Sequence, residues 1–296
     1  MSSKFFNWLI FIVLSFIWGS SFILMKEGLN GLSALQVASL RIISSGLVLL
    51  PVAIRHFRQV PKNKLGLVFL SGVLGSLLPA YLFCIAEQAI DSALAGVLNS
   101  LTPIFVIITG AVFFRSKTSK NKVLGICVAF AGSVLLFLSQ PDFSSNSNAL
   151  YVSYVVLATV MYGINVNMVH RHLSTVPSLR IAAIALTSNA VPAMIVLYFT
   201  GYFNLDFSSG LILLASGYSF VLGIFGTAAA SIIFYMLIKR AGAVFSSMVT
   251  YGIPVVAIGW GIIYGEKIGI RQIGCLAVIL AGVYLANRKN AAVAET

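Results

Sequence analysis

Acidic residues are almost missing from this chain: seven Asp and Glu stand against 19 Lys and Arg in 296 residues. Charged residues of either sign make up 9% of it, where a soluble domain carries about a quarter. That leaves too little polar surface to coat a water-soluble globule. Cysteine is sparse too. Cys84, Cys127 and Cys275 all fall in apolar segments; an odd number of buried thiols makes no disulfide framework, and the spacing suits no metal, so they read as small apolar residues. The three histidines, His56, His170 and His172, lie in or beside loops. The "HRH" at 170–172 has no third ligand near it, so no metal centre and no other cofactor is expected. A Gly-rich loop with its phosphate-binding Lys is absent, which removes direct ATP drive. The short alternating segments of a β-barrel are absent as well.

What the chain does have is apolar residues, 59% of the total, with a mean hydropathy of +1.00. They come in runs of about twenty, the length a helix needs to cross hydrocarbon roughly 30 Å thick. Ten spans are expected, at 7–25, 33–54, 65–86, 92–114, 121–138, 149–169, 177–200, 211–238, 243–264 and 270–287. Gly, Ser and Thr recur inside them, as close helix packing in lipid requires. Lys4 followed by an apolar run resembles a signal peptide. The run is long, however, and no small-residue cleavage site follows it, so the first span is expected to stay in place.

The charges sort by side. With the N-terminus in the cytoplasm, the inner loops hold Lys4, Arg55, Arg58, Lys62, Lys64, Arg115, Lys117, Lys120, Lys122, Arg171, Arg180, Lys239, Arg240, Arg288 and Lys289. Glu27, Glu87, Asp91, Asp142, Asp206 and Glu266 fall outside, and only Glu295 inside. This is the positive-inside pattern, repeated loop after loop. The basic loops therefore need anionic lipid rather than nucleic acid as their partner.

A weak internal repeat runs through the chain. At an offset of 151 residues Gly75-Ser76 matches Gly226-Thr227, Phe83 matches Phe234 and Pro103 matches Pro254. At 150, Ala131-Gly132 matches Ala281-Gly282; at 144, Trp18-Gly19 matches Tyr162-Gly163. The polar stretch "LSQPDFSSNSN" at 138–148 is the natural joint. Each half then has five spans, 1–140 and 149–290, and an odd number turns the second half over. The loop charges follow: "AEQAIDSALAGVLNSLTP" (86–103) carries Glu87 and Asp91 at its hinge, while its counterpart "LIKRAGAVFSSMVTYGIP" (237–254) carries Lys239-Arg240. The expected fold is an all-α integral membrane protein, ten transmembrane helices in two inverted five-helix repeats. Inverted repeats are a transporter signature, with the substrate site between the halves near mid-membrane.

The segment "SIIFYMLIKRAGAVFSSMVTYGIPVVAIGWGIIYGEKIGIRQIGCLAVILAGVYL" resembles the second repeat of the EamA family, in the drug/metabolite transporter superfamily. "WGSSFILMK", "LRIISSGLVLL" and "AGVLNSLTPIF" agree with the first. The resemblance implies ten helices, both termini cytoplasmic, a central cavity lined by spans 1, 3, 4, 6, 8 and 9, and export of amino acids or other small metabolites. Where the family often closes span 4 with an acid, as Glu266 does after span 9, this chain has Arg115.

No span centre holds Asp, Glu or His, so the general base or activated nucleophile of an enzyme has no place to sit. Pro103 and Pro254 each remove a helix hydrogen bond and free a carbonyl near Asn99 and Thr250, making bends on spans 4 and 9. Polar and aromatic candidates for a cavity wall gather near them: Trp18, Ser20, Ser21, Tyr81, Asn99, Ser100, Tyr162, Asn165, Tyr235, Thr250 and Tyr251. Interhelical bonding and core packing are the competing explanations for each. Arg41, the one charge well inside a span, either snorkels or pairs with an outer acid such as Glu27, or else meets a substrate carboxylate or locks the outward gate; the first reading is preferred, because span 2 is peripheral in the family. Lys26 and Glu87 complete the gate candidates, near water at span ends. The expected function is a secondary transporter of small metabolites, amino acids first. A carrier of phosphorylated or nucleotide sugars is the alternative, disfavoured by too few cations. A membrane-embedded enzyme or scaffold is the alternative from another class.

Overall fold

A computed structural model describes residues 3–90, 92–139, 149–263 and 269–287. Asp91, Asp142, Glu266, Lys267, Arg288, Lys289, Glu295 and most of the expected joint lie outside them. Among the described residues the chain is helical, with no strand. Helix α1 is Ser3–Leu29 and α2 is Ala34–His56. Next comes a run of α3 (Lys62–Gly72), a π turn (Val73–Leu77) and α4 (Leu78–Ala86). After it stand α5 (Ser92–Asn99), α6 (Thr102–Phe114) and α7 (Lys120–Leu138). Beyond the joint are α8 (Ala149–His172) and α9 (Ser178–Phe199). A second interrupted run follows, α10 (Gly210–Val221), a π turn (Leu222–Ala229) and α11 (Ala230–Ala241). The chain then passes through α12 (Ala243–Ser247), a 3-10 turn (Met248–Gly252), α13 (Ile253–Ile263) and α14 (Ile270–Asn287).

Eight of these runs are long and apolar enough to cross a membrane: α1, α2, α3–α4, α5–α6, α8, α9, α10–α11 and α14. Helix α7, at the fifth expected span, is not among the eight; the ninth is represented by a shorter apolar helix, Ala243–Val256. The outer surface is what hydrocarbon selects and water would not. Phe199 and Ile270 are each 81% exposed, with Tyr198, Phe113 and Leu214 nearly as bare. Inside, buried hydroxyls return their protons to the helix that carries them: Ser15 to Phe11, Thr109 to Phe105, Ser133 to Ala129, Ser219 to Ala215. That satisfies a polar group where no water can.

Close packing uses small residues. Helices α7 and α14 cross so tightly that a Cβ on Gly125 would lie 2.4 Å from the Ala286 nitrogen, and one on Gly282 equally close to that of Ala129. Helix α2 packs along α9 and is covered by the second π turn, while α9 is covered by α3; α8 packs on α4 and α6, and α1 on α10, α11 and α13. The element ends sort by charge. Arg240 Nε donates to Asn7 of α1, Lys64 Nζ to Thr175, and Lys239 to the carbonyl of Val176. One end of the bundle thus gathers the start of α1, the start of α3, the loop after α8 and the end of α11. Helix α1 begins where α8 finishes. At the other end Gln36 Nε2 donates to the Thr200 carbonyl beyond α9, and Glu27 and Asp206 are exposed on the chain leaving α1 and following α9.

Candidate functional site

Two interrupted runs, α3–α4 and α10–α11, face each other across the bundle and carry the sequence pairs that matched at offset 151. Gly75-Ser76 and Gly226-Thr227 both fall inside the π turns. A π turn widens the helix and shifts its hydrogen-bond ladder, a feature frequent at functional sites. Each turn is met by the first helix of the opposite half. From α1, Trp18 Nε1 donates to the Gly226 carbonyl at 3.2 Å, and its ring lies edge-on to Phe234, centroids 4.9 Å apart. From α8, the Tyr162 ring stacks on Phe83 at 6.2 Å. Ser21 lies against Gly226 and Asn165 against Gly75, so close that a Cβ on either glycine would collide with them. A Cβ at either glycine would push those side chains out of place.

Between these walls lies a cavity with about 100 Å³ of water-accessible volume, smaller than the roughly 300–1,000 Å³ of open small-molecule sites. Of the residues expected from sequence, Trp18, Ser21, Asn99, Tyr162, Asn165, Tyr235 and Thr250 line it. Others turn elsewhere. Ser20 accepts a bond from Trp260 Nε1, Tyr81 bonds the Ser39 hydroxyl, Ser100 donates to Gly96, and the buried Tyr251 donates to the Ile126 carbonyl. Pro103 opens α6 after a break at 100–101, and Pro254 opens α13 after the 3-10 turn. The carbonyl expected to be free at Thr250 is not: the tighter turn lets the Ile253 N–H reach it. At the other bend the Asn99 side-chain oxygen accepts from the Thr102 hydroxyl at 3.2 Å.

Of the gate candidates, Lys26 is exposed at the end of α1 and Glu87 half-buried beyond α4; neither lines the cavity. Arg41 does. Its Nε donates to Thr227 Oγ1 at 2.7 Å, while the Glu27 carboxylate accepts instead from Asn30. The expected pairing of Arg41 with Glu27 is therefore replaced by an inward one, because α2 lies beside the π turn rather than at the periphery. Among the described residues no Asp or Glu lines the cavity. Ser76, Phe83, Thr227 and Phe234 also line the wall; sequence reading used them as marks of the repeat and not as site residues. The repeat was the signal that could have found them.

The family model of the EamA-like transporter family matches residues 6–138 and again residues 149–288. Among curated proteins, the chain is 29% identical over 285 residues to an uncharacterized transporter of Archaeoglobus fulgidus, covering 96% of this chain and 99% of that one. It is 25% identical over 273 residues to the uncharacterized inner membrane transporter YedA of Escherichia coli, covering 91% and 86%. Over 121 residues, 40% of this chain and 39% of the other, it is 30% identical to a probable amino-acid metabolite efflux pump of the same species. A solved crystal structure superposes with a TM-score of 0.72 at 14% identity, covering 94% of this chain and 95% of that one, a likeness of fold.

Proposed function

The chain belongs to the EamA-like transporter family, and from that premise we propose that it is a secondary transporter moving small metabolites by alternating access between two five-helix repeats of opposite orientation, residues 1–140 and 149–290. The observation that carries this reading is the reciprocal wall of the cavity. Trp18 and Ser21 meet Gly226, while Asn165 meets Gly75 and Tyr162 stacks on Phe83, each pair reaching from one half to the interrupted run of the other. A wall whose two sides are near copies can exchange roles, one closing as the other opens. That α1 begins at the end of the bundle where α8 finishes also supports it.

Neutral amino acids with apolar or aromatic side chains are the proposed substrates. The aromatic pairs accommodate an apolar body, and a relative matched over part of the chain carries the name of an amino-acid metabolite efflux pump. A phosphorylated solute would want several cations, and Arg41 is the one Lys or Arg lining the cavity among the described residues. The proposed setting is the inner membrane, with the basic end of the bundle, both termini and Arg240 in the cytoplasm.

Purified protein in liposomes tests this. Saturable flux of neutral amino acids is expected, reduced at least about tenfold by Trp18→Ala, an aromatic lost from a binding wall being worth a few kcal/mol. Flux confined to phosphorylated compounds, or hydrolysis without flux, overturns the proposal. Labels attached near Glu87 and near Arg240 should react from opposite faces of the bilayer; reaction from one face removes the inverted arrangement.

A further inference from the structure

We infer that the cavity takes its solute in one fixed polarity: a single carboxylate against Arg41 and Thr227, and an N–H donor against Asn165, with an apolar body between the aromatic pairs. This rests on the transporter reading only for the solute's passage; the recognition stands on the wall itself.

Several hydroxyl donors on that wall are already used. The hydroxyl protons of Ser21, Ser247, Thr250 and Thr102 are all spent, on Ile17, Val244, Ser247 and Asn99. These groups turn only lone pairs toward a solute. The Trp18 indole N–H is likewise spent on Gly226. Asn165 adds the strongest acceptor. It is only 3% exposed, and its Oδ1 has no partner. Asn165 is among the residues lining the cavity, and its amide oxygen is the half left without a partner. A buried amide oxygen without a donor is costly, and a solute N–H would relieve it.

Arg41 is the opposite case. Tied at Nε to Thr227, its planar guanidinium can offer parallel N–H groups, the arrangement a carboxylate takes. Among the described residues no acid lines the cavity to neutralise it, and a half-buried cation gains from an anion that joins it. One guanidinium matches one negative charge. A dianion would keep a charge uncompensated, and an amine without a carboxylate would meet only repulsion.

The test is a set of four probes bound to the purified full-length protein, read by calorimetry: L-phenylalanine, 3-phenylpropionate without the ammonium, 2-phenylethylamine without the carboxylate, and phenyl phosphate. L-Phenylalanine is expected to bind tightest. Losing the carboxylate should weaken binding about 30-fold, as for a charge-assisted bond, and losing the ammonium about fivefold. In Arg41→Gln the penalty for losing the carboxylate should vanish while that for losing the ammonium persists. In Asn165→Leu the reverse should hold. Each variant is judged by the ratio between its own probes, so weaker folding alone does not imitate the result, and Arg41→Lys should keep most of the carboxylate preference. Equal binding of 2-phenylethylamine and L-phenylalanine, tighter binding of phenyl phosphate, a uniform loss in both variants, or no binding of any probe overturns the inference. The same probes in flux separate it from the transport reading. Binding with the expected ratios but no flux supports the polarity and removes the transport; flux of carboxylate-free solutes does the opposite.

Discussion

The two walls of the cavity are built alike in backbone and differently in chemistry. Gly72 and Gly223, 151 residues apart, hold matching places before and inside the π turns, and each lies against a peptide carbonyl of the facing second helix, Ala185 on α9 and Arg41 on α2. The residues at those two carbonyls differ: Arg41 lines the cavity, while Ala185 is packed in the core. Ser21 and Asn165 form a second matched and unequal pair at offset 144. The lesson is a division of labour. Contacts through which helices approach backbone to backbone are the same in both halves, because the bundle would not close without them. Side chains that only the cavity sees are free to differ, and their difference gives an otherwise near-symmetric chamber a charged end.

The largest expected effect comes from breaking what the walls share. A Cβ on Gly223 would lie 2.3 Å from the Arg41 carbonyl oxygen, and on Gly72 2.7 Å from that of Ala185. Both obstacles are backbone and cannot swing aside. Gly223→Ala and Gly72→Ala should each destabilise the protein by about 1–3 kcal/mol, Gly223→Ala more. Thermal melting in detergent checks this, and melting points equal to the parent's would break the comparison. The next effect comes from giving the second wall what the first has. Ser76→Arg, at the lining position that matches Thr227, adds a second cation, and competition by phenyl phosphate against a transported amino acid should improve about tenfold, or roughly 1.4 kcal/mol. No change would mean that position 76 does not face the solute.

Smaller still is making the unequal pair equal. Asn165→Ser should raise the half-saturating concentration for flux about fivefold, near 1 kcal/mol, with melting little altered. The smallest effect is Trp18→Phe, which keeps a ring against Phe234 and removes the N–H bonded to Gly226. A stability loss of about 0.5–1 kcal/mol is expected, with probe binding unchanged within twofold; a larger binding loss would place the indole N–H in contact with solute.

How much of this was legible can be argued from single residues. Trp18 and Tyr162 were found because an aromatic followed by glycine at matching offsets in both halves is visible in the letters. Tyr251 and Ser100 were singled out on the same grounds of type and neighbourhood, and they turn to Ile126 and Gly96. Nothing local separates the two cases. A helix apolar on every side has no preferred face, so its rotation is decided by neighbours and not by its own pattern. Arg41 illustrates the cost: its depth in a span was plain, its direction was not.

By itself the sequence determined the solvent, the helical class and the duplication, since those depend on composition, run length and spacing, which are sums along the chain. The family followed from the order of its motifs. Only the tertiary structure decided which side chains share the cavity, that α2 turns Arg41 toward Thr227, and that Asn165 keeps an acceptor for a solute. Those are facts about how helices hundreds of residues apart rotate and approach one another. In hydrocarbon that rotation is settled by close packing at glycines and by the need to satisfy every buried polar group, conditions no single segment can meet alone.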